Sequence, residues 1–403
     1  MDYKEGMYPS DKIFFKWENF MDIIVAGHIC LDIIPDWRIG SIKTIIPGHI
    51  LEMSGLKLST GGAVANTGIT LKKLGISTTL LGKIGSDAFG KVILEILKKE
   101  DEALIENMII SENEISSYTI VLNPPDTDRV FLHYPGPNHT FNANDIPYEK
   151  IKSGRIFHFG YPPLMKIFYE NAGEELVKMF RRVRKMNIIT SLDMAMPDPG
   201  SPAGKLDWRK FFKNVLPMVD IFIPSIDELL YMLNPEKYYK ISEKKERIGV
   251  LLLDQLARQL IDYGANVVAI KLGDQGLYLR THQIEKSNLS CIINPSQWNY
   301  RQLLSPCFAT EVKGNTGTGD ATISGFLAQL LDGGEPEKAI TLANAVGACC
   351  VEAIDATGGI RPLPEVVKRV TSGWERLSLS IPIDNWKYDY QYKIWKGPED
   401  QVG

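Results

Sequence analysis

Gly314-Asn315-Thr316-Gly317-Thr318-Gly319-Asp320 runs directly into Ala321-Thr322-Ile323-Ser324-Gly325-Phe326-Leu327. Glycines at 314, 317 and 319 serve neither helix nor strand propensity. They give a turn that takes unusual dihedrals and brings bare backbone N–H groups close to another group. Downstream, Ile323, Phe326, Leu327, Leu330 and Leu331 share one face at helical spacing, and Gly333-Gly334 ends the helix. A glycine turn feeding a helix N-terminus is an anion site, because unpaired N–H groups and the positive end of the helix dipole point out of it. Here the site carries a carboxylate of its own, Asp320. Anion binding beside a built-in base suits phosphoryl transfer to a hydroxyl: the N–H groups hold charge on the moving phosphate while Asp320 accepts the alcohol's proton. The same residues also fit a plainly capped helix, since Asp caps well. The rest of the chain has to choose between the two.

Outward from this stretch the chain alternates short apolar strands with helices. Asp22 to Gly27 reads as a buried parallel strand that runs on through Ile34. That places Asp32 at its far end, where an open α/β sheet borders its ligand crevice; a turn cap before Pro35 is the other reading. Gly61-Gly62 then leads a helix whose first turn carries small residues, with Asn66 able to bind hydroxyls or simply to lie on the helix surface. A strand over 78–85 and a helix over 87–99 repeat the βα rhythm at ~30 residues. Residues 116–134 break it: β-formers flank Asn123-Pro124-Pro125-Asp126 as a hairpin, a lid over the site. Further strands are expected at 155–160, 187–193, 219–224 and 266–271, with helices at 170–186 and 251–263. The strand over 219–224 ends in Ser225-Ile226-Asp227-Glu228, ordinary first-turn residues or a site. The strand ending in Lys271 passes into a loop spaced by Gly273 and Gly276, which suits either a hairpin turn or a nearby phosphate. Residues 281–310 read as an irregular insertion, and the last thirty as a segment that packs or dimerises. The expected fold is α/β, a doubly wound, mostly parallel sheet flanked by helices with a small β lid.

Composition excludes several classes. A net charge of −4 argues against a nucleic-acid or anionic-membrane partner, and no apolar run is long enough to span a bilayer. The first 21 residues lack the apolar core of a signal peptide, so a cytoplasmic location is expected. Five cysteines without a CxxC pair suggest reduced thiols rather than a disulfide frame or a zinc site. Six scattered histidines show no HExxH, and His158 reads as a core histidine.

Together these stretches resemble the ribokinase-like (PfkB-type) carbohydrate kinase family over roughly residues 22–370. Two motifs carry the likeness: Gly61-Gly62-Ala63-Val64-Ala65-Asn66 and Thr316-Gly317-Thr318-Gly319-Asp320. The resemblance implies Asp320 as base, with the backbone of Gly317, Thr318 and Gly319 as anion hole. It implies Asp32, Gly61, Gly62 and Asn66 on sugar hydroxyls, with Asn138 near the substrate. ATP would lie along Ser225, Lys271, Gly273, Gly276 and Asn344, and Glu228 would organise Mg²⁺. Two positions depart from the family: Ser225 replaces an Asn in its Asn-x-x-Glu element, and Gly314 replaces an Asp linked to a monovalent-cation site, which weakens the case for potassium activation. The implied organisation is a leader (1–21), a kinase domain (22–373) with a lid from about 32–58 and 114–136, and a C-terminal extension (374–403). The implied partners are ATP and a sugar, sugar acid or nucleoside; separately, the cost of leaving the lid's edge open suggests a homodimer through it. A metabolite-binding regulator on the same fold is the competing reading. A dinucleotide oxidoreductase is disfavoured because the first strand-turn lacks GxGxxG, and no Walker A motif is present.

Overall fold

Every residue of the first strand, β1 (Ile23–Gly27), is buried. Its alternate residues feed opposite faces, Ile23 and Val25 into one core and Ile24 and Ala26 into the other, which is why the run is continuously apolar. The computed structural model describes residues 22–38, 40–125, 129–285 and 287–401. The leader over 1–21 and Asp126 of the hairpin turn lie outside them.

In chain order the strands that follow are β2 (Cys30–Pro35), β3 (Leu56–Gly61), β4 (Thr78–Leu81), β5 (Lys83–Gly85), β6 (Ile109–Ser111), β7 (Tyr118–Leu122) and β8 (Val130–Tyr134). Then come β9 (Ile156–Gly160), β10 (Ile189–Leu192), β11 (Ile221–Phe222), β12 (Val267–Lys271), β13 (Leu277–Thr281), β14 (Gln302–Ser305), β15 (Lys387–Asp389) and β16 (Ile394–Lys396). The main sheet has the order β4-β1-β9-β10-β11-β12-β13-β14-β16-β15. It is parallel from β4 to β12 and antiparallel from β12 onward. Helices Ala63–Lys73, Thr318–Leu331 and Pro336–Cys350 pack on one face. Helices Glu174–Arg184, Trp208–Val215, Ile226–Leu233 and Val250–Asp262 cover the other. The sheet is therefore doubly wound.

A second sheet, β3-β2-β7-β8, stands beside it. The hairpin expected over 116–134 is its β7–β8 pair. One expectation is corrected here: the first strand does not run on to Ile34. Gly27, at φ 128, closes β1, and the packing of Gly27 on Gly160 leaves no room for a Cβ. After a two-residue turn the chain re-enters as β2, in the other sheet. Asp32 consequently sits within a strand of the small sheet, opposite Ser59 and Thr119, not at the end of a central strand.

The 281–310 stretch also departs from its reading. β14 lies inside it and extends the main sheet, and β15 and β16 of the last thirty residues continue that edge. Arg301, 2% exposed, anchors the arrangement by pairing with Glu337 and with Asp400 at 2.8 Å. A charge so buried is retained only when paired.

Candidate active site

The carboxyl ends of the parallel strands converge on the N-terminus of the helix Thr318–Leu331. Gly317 caps that helix at φ 75, and a Cβ there would collide with Ala356, so the turn requires glycine. The N–H groups of Gly319 and Asp320 have no hydrogen-bond partner among the described residues, as expected of a first turn.

Asp320 is 2% exposed and accepts three hydrogen bonds. Asn66 Nδ2 (3.0 Å) and Tyr161 Oη (2.8 Å) donate to Oδ2, and Thr67 Oγ1 (3.2 Å) donates to Oδ1. Burial pushes its pKa up, while the Tyr161 hydroxyl, the Lys271 charge, Asn66 and Thr67 pull it down; burial prevails. A carboxylate has about four acceptor positions, so one remains open on Oδ1.

Lys271 ends β12 and donates to Asp193 Oδ1 at 2.7 Å. Burial opposes its charge, but Asp193, Glu228 and Asp320 outweigh it and hold its pKa above the usual value. A Cβ on Gly319 would stand 3.4 Å from Lys271 Nζ, so the ammonium lies beside Gly319 in the glycine turn. Asp193 follows β10, is 1% exposed, and has its pKa raised by burial. On Glu228, Oε2 accepts from Ser225 N (2.7 Å), while Ser225 Oγ accepts from Glu228 N (3.3 Å). This capping box opens the helix Ile226–Leu233. The Ser225 hydroxyl is therefore spent on a helix end, and Glu228 keeps Oε1. The free oxygens of Glu228 and Asp193 are hard donors of the kind Mg²⁺ takes alongside phosphate.

A second group lines the small sheet. Asp32 lies against Gly61, whose Cβ would overlap its carboxylate, and a Cβ on Gly62 (φ 88) would meet His28 Nδ1 at 2.5 Å. The Gly-Gly pair thus allows Asp32 and His28 to pack over the helix Ala63–Lys73. Burial raises Asp32 to about 6, against hydrogen bonds from Cys30 and Thr119.

A third group is on the β12–β14 side. Gly273 (φ 61) has open space above it, whereas Gly276 (φ 93) packs on the Ser305 carbonyl. Asn344 Nδ2 donates to Ser305 O (2.8 Å) and Pro306 O (3.2 Å), tying its helix to β14. Its amide hydrogens face the backbone rather than a ligand. The same holds for Asn138: it donates to Ile29 O and Pro135 O, both at 2.9 Å, and accepts from Ile29 N at 3.1 Å. It holds the β1–β2 turn and offers no amide hydrogen to a substrate. Gly314 packs on the carbonyls of Ile354 (2.7 Å) and Ala353 (2.9 Å) from where its Cβ would stand, so a side chain there requires the 353–354 backbone to move.

Sequence reading missed Asp193, Tyr161, Thr67 and Arg129. The place of Asp193 after an apolar strand was a usable signal. Tyr161, at φ 68, left none, since nothing local foretells a left-handed tyrosine. Arg129, at the foot of β8, donates to Thr316 Oγ1 in the glycine turn.

Residues 22–362 match the model of the pfkB family carbohydrate kinases. An uncharacterized sugar kinase of Archaeoglobus fulgidus is 27% identical over 293 residues, 72% of this chain and 97% of that protein. A probable fructokinase-5 of Arabidopsis thaliana is 23% identical, covering 85% and 94%. Among solved structures, Arabidopsis thaliana ribokinase complexed with ribose and ATP superposes at a TM-score of 0.64 with 19% identity, covering 87% of this chain and 98% of that one. The family match across most of the chain agrees with the glycine turn, its carboxylate and the doubly wound sheet: the chain belongs to the pfkB family of carbohydrate kinases.

Proposed function

We propose that the chain transfers the γ-phosphoryl group of ATP to a hydroxyl of an uncharged sugar or similar polyol, with Asp320 as general base. The observation that carries this reading is the environment of Asp320: a buried carboxylate at a helix N-terminus, held by three donors, with one acceptor position left for a hydroxyl. In the reaction the acceptor's O–H proton passes to Asp320 while its oxygen bonds to phosphorus. The bond from phosphorus to the bridging oxygen breaks, and ADP leaves. Negative charge on the transferring group meets the N–H groups of Gly319 and Asp320 and the ammonium of Lys271, fixed donors of the kind that stabilise such charge. Glu228 and Asp193 would hold Mg²⁺, which would supply neutralisation of the phosphate oxygens. Arg129 brings a guanidinium from the small sheet to the same turn.

Asp32 and Asn66 are the polar groups for acceptor hydroxyls, and the carboxylate of Asp32 disfavours an acceptor carrying phosphate or carboxylate nearby. The small sheet also presents exposed apolar side chains on its two outer strands, so we propose a homodimer through it. A non-catalytic metabolite sensor is the rival reading; the Lys271–Asp193 pair and the hydrogen-bonded Asp320 argue for chemistry.

The deciding experiment measures ADP release with Mg²⁺ across sugars, sugar acids and nucleosides, beside Asp320→Asn. Acceptor-dependent turnover that falls by about 10²–10⁴-fold in the variant supports the proposal. Thermal stabilisation by an acceptor with no turnover supports the sensor.

A further inference from the structure

His28 lies in the turn after β1, Cys30 opens β2, and His133 stands on β8. Their ligating atoms all lie within 4.8 Å of one another, and among the described residues no other trio of His, Cys, Asp or Glu is grouped this way. The two Nε2 atoms face each other at 3.3 Å. Two nitrogens bound at ~2.0–2.1 Å on a tetrahedral ion are separated by about 3.3 Å. The supports are those of a metal-binding histidine: Thr119 Oγ1 lies 3.0 Å from His133 Nδ1, fixing that ring and leaving Nε2 to face inward. His28 is 2% exposed, and its Nδ1 has no partner among the described residues. No hydrogen bond on that side fixes its tautomer. Cys30 Sγ contacts Asp32 Oδ1 at 3.4 Å and Thr119 Oγ1 at 3.5 Å.

We infer that His28, Cys30 and His133 form a site for one thiophilic divalent cation of the zinc class. Two imidazole nitrogens and a thiolate match that class and are wrong for Mg²⁺ or Ca²⁺, which take oxygen. Binding releases the Cys30 thiol proton to solvent. The imidazole that now donates across the 3.3 Å contact takes its other tautomer, so both Nε2 lone pairs face the ion. The fourth position stays open to water or to a ligand oxygen. The His28 and Tyr161 rings are 6.1 Å apart, and the Tyr161 hydroxyl bonds Asp320, so an ion here stands in the acceptor region and ties β8 to the main body. Its consequence, competition with the acceptor, rests on the kinase reading; its binding does not.

The test titrates cobalt(II) into the metal-free full-length protein and follows the thiolate-to-cobalt charge-transfer band. One equivalent with such a band, a band lost in Cys30→Ser, and affinity lowered roughly tenfold or more in His133→Asn is the expected result. Melting curves of both variants check that each is folded. No band overturns the site; a band that survives Cys30→Ser also overturns it and assigns the binding to another thiol such as the exposed Cys291. With an active enzyme, zinc inhibition that is competitive with the acceptor, not with ATP, and relieved in His133→Asn supports the placement. Inhibition unaffected by that variant overturns it.

Discussion

Tyr161 shows how one side chain tunes the site. It occupies a left-handed conformation, costly for a residue with a Cβ, and aims its hydroxyl at Asp320. That hydrogen bond favours the charged form of a carboxylate whose burial favours the neutral form. Tyr161→Phe should therefore raise the Asp320 pKa further and move the acid side of the kcat–pH profile upward; an unmoved profile would separate Tyr161 from the base. His158 illustrates a purely structural titration. It is fully buried beside Ser191, and burial, with a smaller contribution from the Lys271 charge, lowers its pKa from 6.5 to about 3. The unfolded chain binds a proton between those values and the native state does not, so stability falls as the pH drops below 6.5. By pH 5 this one residue accounts for about 2 kcal/mol. His158→Gln should flatten the loss between pH 7 and pH 5 by that amount in urea unfolding.

At the scale of elements, the junctions matter more than the strands themselves. The turn between β1 and β2 moves the chain from one sheet to the other, and the amide of Asn138 pins it there. The Ser225–Glu228 capping box opens the helix Ile226–Leu233, a role that serine fills well. The β7–β8 hairpin contributes Arg129, whose guanidinium reaches Thr316 across the cleft. If that contact brings charge to the transferring phosphate, Arg129→Gln should lower kcat by roughly 10²-fold with little change in acceptor KM. A change confined to KM would restrict Arg129 to closing the lid.

For the whole molecule, the two sheets divide the labour: the doubly wound sheet sets out strand ends and the small sheet faces them. The small sheet's outer strands β3 and β8 expose Leu56 (61%), Phe131 (55%) and Leu132 (50%). Such apolar edges are usually covered in a soluble protein. Light scattering at micromolar protein should give the dimer mass, and a monomer mass would remove the lid as an interface.

What was legible in the sequence was local. Glycines at 61, 62, 317 and 319, the helices they feed, and a carboxylate in the first turn of a helix are set by neighbours in the chain, so Asp320, Asn66 and Lys271 could be singled out before any contact was known. The apolar strand runs were equally plain, because a strand buried on both faces has no polar side. Distant pairings were not legible. That Asp193 pairs with Lys271, that a left-handed Tyr161 turns to Asp320, that Arg129 reaches Thr316, and that β2 leaves the main sheet all depend on positions far apart in the chain. The same holds for the three donors at 28, 30 and 133. Scattered cysteines and histidines argued against a metal site when read by spacing alone. The pairing of β2 with β7, and of β7 with β8, then brought them within a few ångströms, because sheet register decides which side chains meet.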